Sequence, residues 1–308
     1  MYDKVSMFLP RMYDTPDISK YLDHPKKMTD QETGDVKIFG GFEGLSVNSY
    51  PSGISITGSL AKFQNPSNIY PLDIHTTAEA LEKLSEGLHI DVSEANVTSL
   101  EYGTNFSMKK PVETYLGLLG DMPRHKRLSM ETSLYYQTGS KTQSNKLVFY
   151  DKIRDAKRKG LVIPDGFENT NLLKYEMRLH GHLRRLLKVE KMPASALYDR
   201  DIYRKLASMW KDYYFSIRKQ HKINIVMTDI KTVSDAEKAL LAILISQNRK
   251  QADDFLDSLK QNNVFKDKKY YSRLNRRLND IVSNENFSVA DEDVKELDNA
   301  VKNAVAYI

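Results

Sequence analysis

The 308-residue chain has no cysteine. Disulfides, thiolate zinc sites and thiol nucleophiles are therefore excluded, and a reducing compartment is compatible. No apolar run approaches the roughly 20 residues needed to span a bilayer. Residues 1–10 lack the apolar core of a secretory signal. The expectation is a protein that stays in the cytoplasm of the cell that makes it, with no membrane partner. There is no Gly-x-x-x-x-Gly-Lys-Ser/Thr run, so no ATP site is evident. Internal repeats and low-complexity tracts are also missing. Nor is there a strong excess of one charge: 46 Lys+Arg stand against 41 Asp+Glu, a formal net charge of +5. Any nucleic-acid footprint must then be local rather than spread over the surface. What is present, 40% hydrophobic and 28% charged residues, suits a soluble globular chain long enough for two domains.

The patterning changes along the chain. Residues 2–9 read as a first strand and the rest of 1–35, broken by Pro10, Pro16 and Pro25, as loop. Residues 36–60 alternate in short apolar runs, punctuated by Gly40-Gly41 and Pro51-Ser52-Gly53, and predict antiparallel hairpins. Thr76 and Glu79 have capping-box spacing and open a helix with Ala80, Leu81, Leu84 and Leu88 on its apolar face. Residues 97–106 form a strand, and Pro111 starts a short helix. A hairpin is expected around Thr138-Gly139-Ser140, its second strand running over 146–153. Residues 172–179 form another strand, and 183–188 begin a helix. After Pro193 the pattern is almost wholly helical, over 194–220, 234–259 with Ser234 as a candidate cap, 270–282 and 291–306. A boundary falls near Met192-Pro193, giving parts 1–192 and 193–308.

Two strands carry unusual charge. Glu101 and Glu176 each sit inside a strand, where charged residues are depleted. Alternation puts Lys174, Glu176 and Arg178 on one face. One reading is a solvated sheet face. The other is that Glu101 and Glu176 converge on a hard divalent ion such as Mg²⁺, which takes few protein carboxylates and acts as a Lewis acid on phosphate. Tyr150 lies where a strand runs into the cations 152–159. Strand alternation would put Lys152 on its face, and a nearby cation would favour the phenolate, whose ordinary pKa of about 10 makes it a weak nucleophile at neutral pH. His75, with Asp73 on the same strand face, is a candidate third ligand. His180 and His182 are better read as phosphate contacts or solvated residues beside Arg184 and Arg185. The cations of 152–159 and 178–191 suggest a surface that tracks a nucleic-acid backbone.

Five pieces occur in a recognisable order: Gly58-Ser-Leu-Ala-Lys62-Phe with Asn68 following, Val97-Thr-Ser-Leu-Glu101-Tyr-Gly-Thr-Asn-Phe, Leu134-Tyr-Tyr-Gln-Thr-Gly, Lys146-Leu-Val-Phe-Tyr150-Asp-Lys-Ile, and Leu172-Leu-Lys-Tyr-Glu176-Met-Arg-Leu. In this order they resemble the phage and plasmid rolling-circle replication initiators of the filamentous-phage gene II protein type. The resemblance covers about residues 3–188. It implies an α+β fold, a central antiparallel sheet with flanking helices, as in the HUH endonucleases or a close relative; the mostly helical C-terminal part follows it. It implies an enzyme that nicks one DNA strand at an origin, forms a 5′-phosphotyrosine bond through Tyr150 and later rejoins the strand. Lys152 would assist Tyr150. Glu101 and Glu176, with His75 as the candidate third ligand, would hold Mg²⁺ or Mn²⁺. Lys62, Asn68, Arg154, Arg178, Arg184 and Arg185 would contact single-stranded or origin DNA. The helical part would aid origin binding or recruit a host helicase, all in the cytoplasm of a bacterial host. Two departures stand out. The family's Arg-Ile-Asp is Ser99-Leu100-Glu101 here, and the His-hydrophobic-His motif of the standard superfamily is missing.

Two other readings fit fewer residues. His182-x-x-Arg185 followed by Tyr198, Tyr203 or Tyr213 has the spacing of a tyrosine recombinase, which cuts without a metal. A non-catalytic DNA- or RNA-binding protein would leave the strand carboxylates merely solvated.

Overall fold

A computed structural model describes all residues except 12–15, 140–143, 220, 221, 224, 226, 283–287, 290, 291 and 307. Contacts divide the chain into two compact units. The first comprises residues 1–117, 121–218 and 297–308, and the second residues 118–120 and 219–296.

The first unit is built on a ten-stranded antiparallel sheet. In chain order the strands are β1 (Tyr2–Pro10), β2 (Asp23–Thr29), β3 (Val36–Phe42), β4 (Leu45–Tyr50), β5 (Gly53–Ser59), β6 (Asn96–Met108), β7 (Lys126–Met130), β8 (Ser133–Gly139), β9 (Ser144–Asp151) and β10 (Asn171–His180). Across the sheet the order is β2-β3-β4-β5-β1-β6-β10-β9-β8-β7. The N-terminal strand is thus central, and the strands bearing Glu101, Glu176 and Tyr150 (β6, β10 and β9) lie side by side. The expected α+β class with a central antiparallel sheet is borne out.

The helices of this unit are α1 (Leu60–Gln64), α2 (Ile74–Leu88), α3 (Val112–Leu118), α4 (Lys152–Arg158), α5 (Leu183–Leu187) and α6 (Arg200–Ser216). Asp73 caps α2 by accepting from the Thr76 amide while the Thr76 hydroxyl accepts from the Asp73 amide. The capping box is real but begins three residues before Thr76, because an ionised Asp is the stronger cap.

One sheet face carries the aromatic core. Phe149 and Tyr175, opposite each other on β9 and β10, stack at 4.3 Å, and Trp210 of α6 stacks on Tyr175 at 4.6 Å. Tyr2, Tyr102 and Tyr203 form a second edge-to-face cluster. These rings hold α6 against the sheet, so the first unit runs past Pro193 to Arg218. On the other face Leu172 meets Ile69 and Ile153 in a small apolar cluster. It covers one end of β10 and leaves the other end open.

Several sequence expectations need correction. Residues 11–35 are not all loop: β2 and a 3-10 turn at Ser19–Tyr21 lie there. Gly40-Gly41 lies inside β3; the turn is at Glu43-Gly44, where both residues have positive φ. The turn expected at 138–140 falls partly outside the described residues. The strand of Tyr150 ends at Asp151, whose carboxylate caps α4 by accepting from the Arg154 amide at 2.8 Å. An N-capping Asp turns a strand into a helix at that point, so Lys152 is the first residue of α4 and not a strand neighbour of Tyr150.

The second unit contains α7 (Val233–Gln247), α8 (Arg249–Gln261) and α9 (Lys268–Val282), with short strands β11 (Lys222–Ile223) and β12 (Ser288–Val289) paired antiparallel. Ala239, Ala242 and Ile281 form its core. The single helix expected over 234–259 is two, broken at Asn248, which has left helical dihedrals. Its cap is Thr232, in a capping box with Asp235, rather than Ser234. The final helix, α10 (Glu292–Ala304), spans the division between the units. No helix of the described residues is long and apolar enough to cross a membrane.

Candidate active site

The open sheet face gathers charge in three adjacent strands. Cross-strand partners share a face. Tyr150 on β9 is opposite Lys174 on β10, which is opposite Asn105 on β6. Two residues along, Glu176 is opposite Gly103, and two further, Arg178 is opposite Glu101. The solvated-face reading fails here: Lys174 is 0% exposed and Glu176 1%. Ion pairing and a ligand role are the ordinary reasons for such burial.

A fourth strand adds the residue that sequence reasoning missed. Asp3 on β1 is 4% exposed. Register on β1 shifts between Tyr2↔Tyr102 and Val5↔Leu100, so three steps on β1 match two on β6. Strict alternation would put Asp3 on the face of Val5, which is the aromatic core. The β-bulge changes the parity, so Tyr2 and Val5 both face the core while Asp3 joins the acidic site. Re-aiming a side chain is what a bulge does beside functional sites. One carboxylate oxygen each of Asp3, Glu101 and Glu176 lies within 4.8 Å of the others. Neighbouring oxygens around an octahedral Mg²⁺ at 2.0–2.1 Å are about 3 Å apart, so the three would close by at most about 2 Å to hold it. Hard oxygen donors, two buried and one half-buried, and convergent, fit a divalent ion. His75 is not in this group; it is exposed on the first turn of α2, where Asp73 is the cap. No strand carries those two residues, and the ligand-spacing argument for them lapses. The His182 ring turns back to the His180 carbonyl, with 2.8 Å between Nδ1 and that oxygen.

Hydrogen bonds fix the acids. The Ser59 hydroxyl donates to Asp3 Oδ1 at 2.5 Å and the Asn68 amide to Oδ2 at 3.0 Å. Lys174 Nζ lies 3.4 Å from Asp3 Oδ2, a buried ion pair. Lys152 Nζ donates to Asn68 Oδ1 at 2.7 Å. The motif running from Gly58 to Asn68 therefore supports Asp3, through Ser59 and Asn68. Its Lys62 is exposed on α1. Gly103 is the close-approach glycine: a Cβ there would sit 2.8 Å from Glu176 Cβ, so only glycine lets Glu176 lie this near β6.

The Tyr150 hydroxyl donates to Glu176 Oε2 at 3.4 Å. Burial pushes the phenol pKa well up, and Glu176 and Asp3 push it further. The expected cation beside the phenol is not Lys152, whose ammonium goes to Asn68. Without a metal the phenol is held neutral. Glu101 is pushed up to about 7, by burial first and then by Glu176. Burial pushes Lys152 down to about 8, with Lys174 adding to it. Asp3 is held below its usual range despite burial, by Lys174 and the Ser59 hydrogen bond. The Arg178 guanidinium donates from Nε to Glu176 Oε1 at 2.6 Å, pairs with the same oxygen through Nη2, and lies 3.5 Å from Glu101.

Tyr150 and Arg178 line a cleft of about 650 Å³ together with Arg154, Lys157, Arg158 and Lys159. In this way the basic run reaches the phenol: α4 turns it along one wall. Arg154 itself is paired to Glu131 at 2.8 Å and Glu113 at 3.3 Å. Arg184 and Arg185 line a different cavity, of about 640 Å³, with His182 and Lys188.

The sequence of residues 1–197 matches the family described as the N-terminal part of a phage replication-associated protein, the gene II protein. That match spans well over half the chain. The chain belongs to this family. The ordered motifs that resemble gene II-type replication initiators are borne out by that membership, and the general role is in replication. A solved structure, the rolling circle replication initiator protein from Geobacillus stearothermophilus, is similar with a TM-score of 0.41 at 12% identity, covering 74% of this chain and 88% of that one. Comparison with curated proteins returns no match. The recombinase spacing has no comparable support. Tyr203 is packed between Tyr2 and Tyr102, and the Tyr213 hydroxyl accepts from Asn145 at 3.3 Å.

Proposed function

We propose that the chain is a rolling-circle replication initiator that nicks one strand of origin DNA with Tyr150. The observation that carries this is the Tyr150 hydroxyl, 3.4 Å from Glu176 in a basic cleft, beside three convergent carboxylates. Asp3, Glu101 and Glu176 would hold Mg²⁺ or Mn²⁺, which supplies Lewis-acid polarisation of a phosphate oxygen. Glu176 Oε2 accepts the phenolic proton. The Tyr150 oxygen attacks phosphorus, and the bond from phosphorus to the 3′-oxygen of the preceding nucleotide breaks. That oxygen takes up one proton, so the step is proton-neutral and leaves a 3′-hydroxyl and a 5′-phosphotyrosine ester. Attack by a 3′-hydroxyl reverses it and reseals the strand. Lys152 acts as a positioning residue, through Asn68 on Asp3. Lys157 gives the cleft wall a cation for a backbone phosphate, and Arg154 and Arg158 would add theirs by exchanging Glu131 and Asp155 for phosphates.

The helical second unit takes the duplex part of the origin. On α9, Lys269, Arg273, Arg276 and Arg277 are exposed on one stripe. No ion-pair partner of Arg276 or Arg277 is found among the described residues, which suits a phosphate backbone.

The test uses single-stranded oligonucleotides tiling the origin, with Mn²⁺, and looks for an SDS-stable protein–DNA adduct. Wild type should form it, Tyr150→Phe should not, and EDTA should abolish it. An adduct formed by Tyr150→Phe would remove Tyr150 as nucleophile. One that forms in EDTA would favour metal-free recombinase chemistry. DNA binding with no adduct under any condition would leave a non-catalytic binding protein.

A further inference from the structure

Three cations neutralise the three carboxylates of the site, and they are not equivalent. Lys174 is fully buried against Asp3, and Lys152 is buried on Asn68. Neither can leave without unfolding its surroundings. Arg178 is different. Its side chain is 39% exposed and forms part of the cleft wall beside Tyr150. Its guanidinium nevertheless turns inward and bridges Glu176 and Glu101. It therefore occupies one oxygen of Glu176 and stands at ion-pair distance from Glu101, two of the three carboxylates that would hold a divalent ion. A guanidinium on Glu176 Oε1 competes with a dication for that oxygen, and at this distance the two like charges repel. A metal at this site therefore favours movement of Arg178 away from it, and the direction open to the side chain is the cleft. Directly across from it, Lys146 on β9 is partly exposed. No ion-pair partner of Lys146 is found among the described residues. The two side chains make a ready seat for a phosphate, which guanidinium groups bind in a planar fork.

We propose that Arg178 is an exchangeable placeholder that couples metal binding to single-stranded DNA binding. It neutralises Glu176 and Glu101 while the site holds neither ligand. DNA offers it a phosphate, which frees the carboxylates for the metal. Metal on the carboxylates in turn releases the guanidinium to the phosphate. The coupling is then reciprocal: DNA raises metal affinity and metal raises DNA affinity by one common factor. This inference rests on the metal-and-tyrosine reading above. Arg178 is a positioning residue in it, and its effect appears in binding before any strand is cut.

The experiment uses full-length Tyr150→Phe protein, so that no DNA is cleaved. Mn²⁺ affinity is measured by the electron paramagnetic resonance signal of free Mn²⁺, with and without a single-stranded oligonucleotide, correcting for Mn²⁺ bound by the DNA alone. DNA affinity is measured by fluorescence anisotropy with and without Mn²⁺. The expected coupling is on the order of 10-fold, within the usual range of about 5–150-fold, and equal in both directions. Adding Arg178→Gln should tighten Mn²⁺ binding in the absence of DNA and bring the coupling close to 1. Arg178→Lys, which keeps the charge but cannot bridge two carboxylates, should also tighten Mn²⁺ binding and serves if the Gln variant does not fold. Unchanged or weaker Mn²⁺ binding in both variants overturns the proposal, as does a coupling of 1 in the Tyr150→Phe parent. Failure of the parent to bind Mn²⁺ at all overturns the metal reading itself. Adduct formation by wild type without coupling overturns only the role of Arg178.

Discussion

Replacing Lys174 by Met tests how the acidic site is held together. The Lys174 side chain is 0% exposed and its ammonium is 3.4 Å from Asp3 Oδ2, on a side chain that is only 5% exposed. Met keeps most of the length and volume and removes the charge. Asp3 would keep Ser59 and Asn68 as donors but lose the main influence that offsets its burial. Removing one partner of a buried ion pair costs about 3–5 kcal/mol, and a loss of that size is expected at neutral pH. The pH dependence should invert as well. In the wild type the folded-state pKa of Asp3 is depressed, so its contribution is present above the unfolded value of about 3.9 and is lost as pH falls through the lower folded value. In Lys174→Met the folded-state pKa rises above the unfolded one. The variant is then least stable near neutral pH, and its deficit shrinks as pH falls toward about 4. Asp3→Asn combined with Lys174→Met removes both charges and should recover most of the loss. Urea unfolding followed by Trp210 fluorescence reads this in the right unit. Trp210 is the single tryptophan, buried and stacked on Tyr175, the residue after Lys174. With a slope of about 1–3 kcal/mol per molar urea, the midpoint should fall by about 1 M or more. A loss below about 1 kcal/mol at neutral pH, or no recovery in the double variant, would refute the buried-pair argument.

Two other predictions concern metal and DNA. The Glu101 carboxyl, pushed up to about 7 by burial and then by Glu176, must give up a proton to hold a cation. Mn²⁺ affinity should therefore climb as pH rises to about 7 and level off above it, and Glu101→Gln should lose both the affinity and the slope. A wild-type affinity that stays flat through this range would count against Glu101 as a ligand. On α9, changing Arg273, Arg276 and Arg277 together to Gln should weaken duplex binding and lower the slope of log K against log salt by about 3, at roughly 0.9 per phosphate contact. Adduct formation on single strands should be unaffected, and an unchanged salt slope would take α9 out of the DNA interface.

Much of this protein is written in local pattern. Alternation located β6, β9 and β10, and it correctly put Lys174, Glu176 and Arg178 on one face, because strand geometry has a fixed period of two. The C-terminal helices were legible from 3.6-residue spacing, and the ordered motifs pointed to the family. The Asp151 cap also lay in the sequence, and it is the signal that would have moved Lys152 from strand to helix. Three things required the tertiary structure. Whether the charged face of β10 is wet or buried depends on what lies beside it, and the partners of Lys174 and Glu176 that the structure supplies, Asp3 and Tyr150, come from distant segments. The third carboxylate, Asp3, is set beside Glu101 and Glu176 by a central N-terminal strand and a bulge; neither strand order nor a one-residue register shift shows in residue spacing. The separate duties of three similar cations, Lys152, Lys174 and Arg178, follow from depth alone. Burial fixes two of them in place, and partial exposure leaves the third free to exchange.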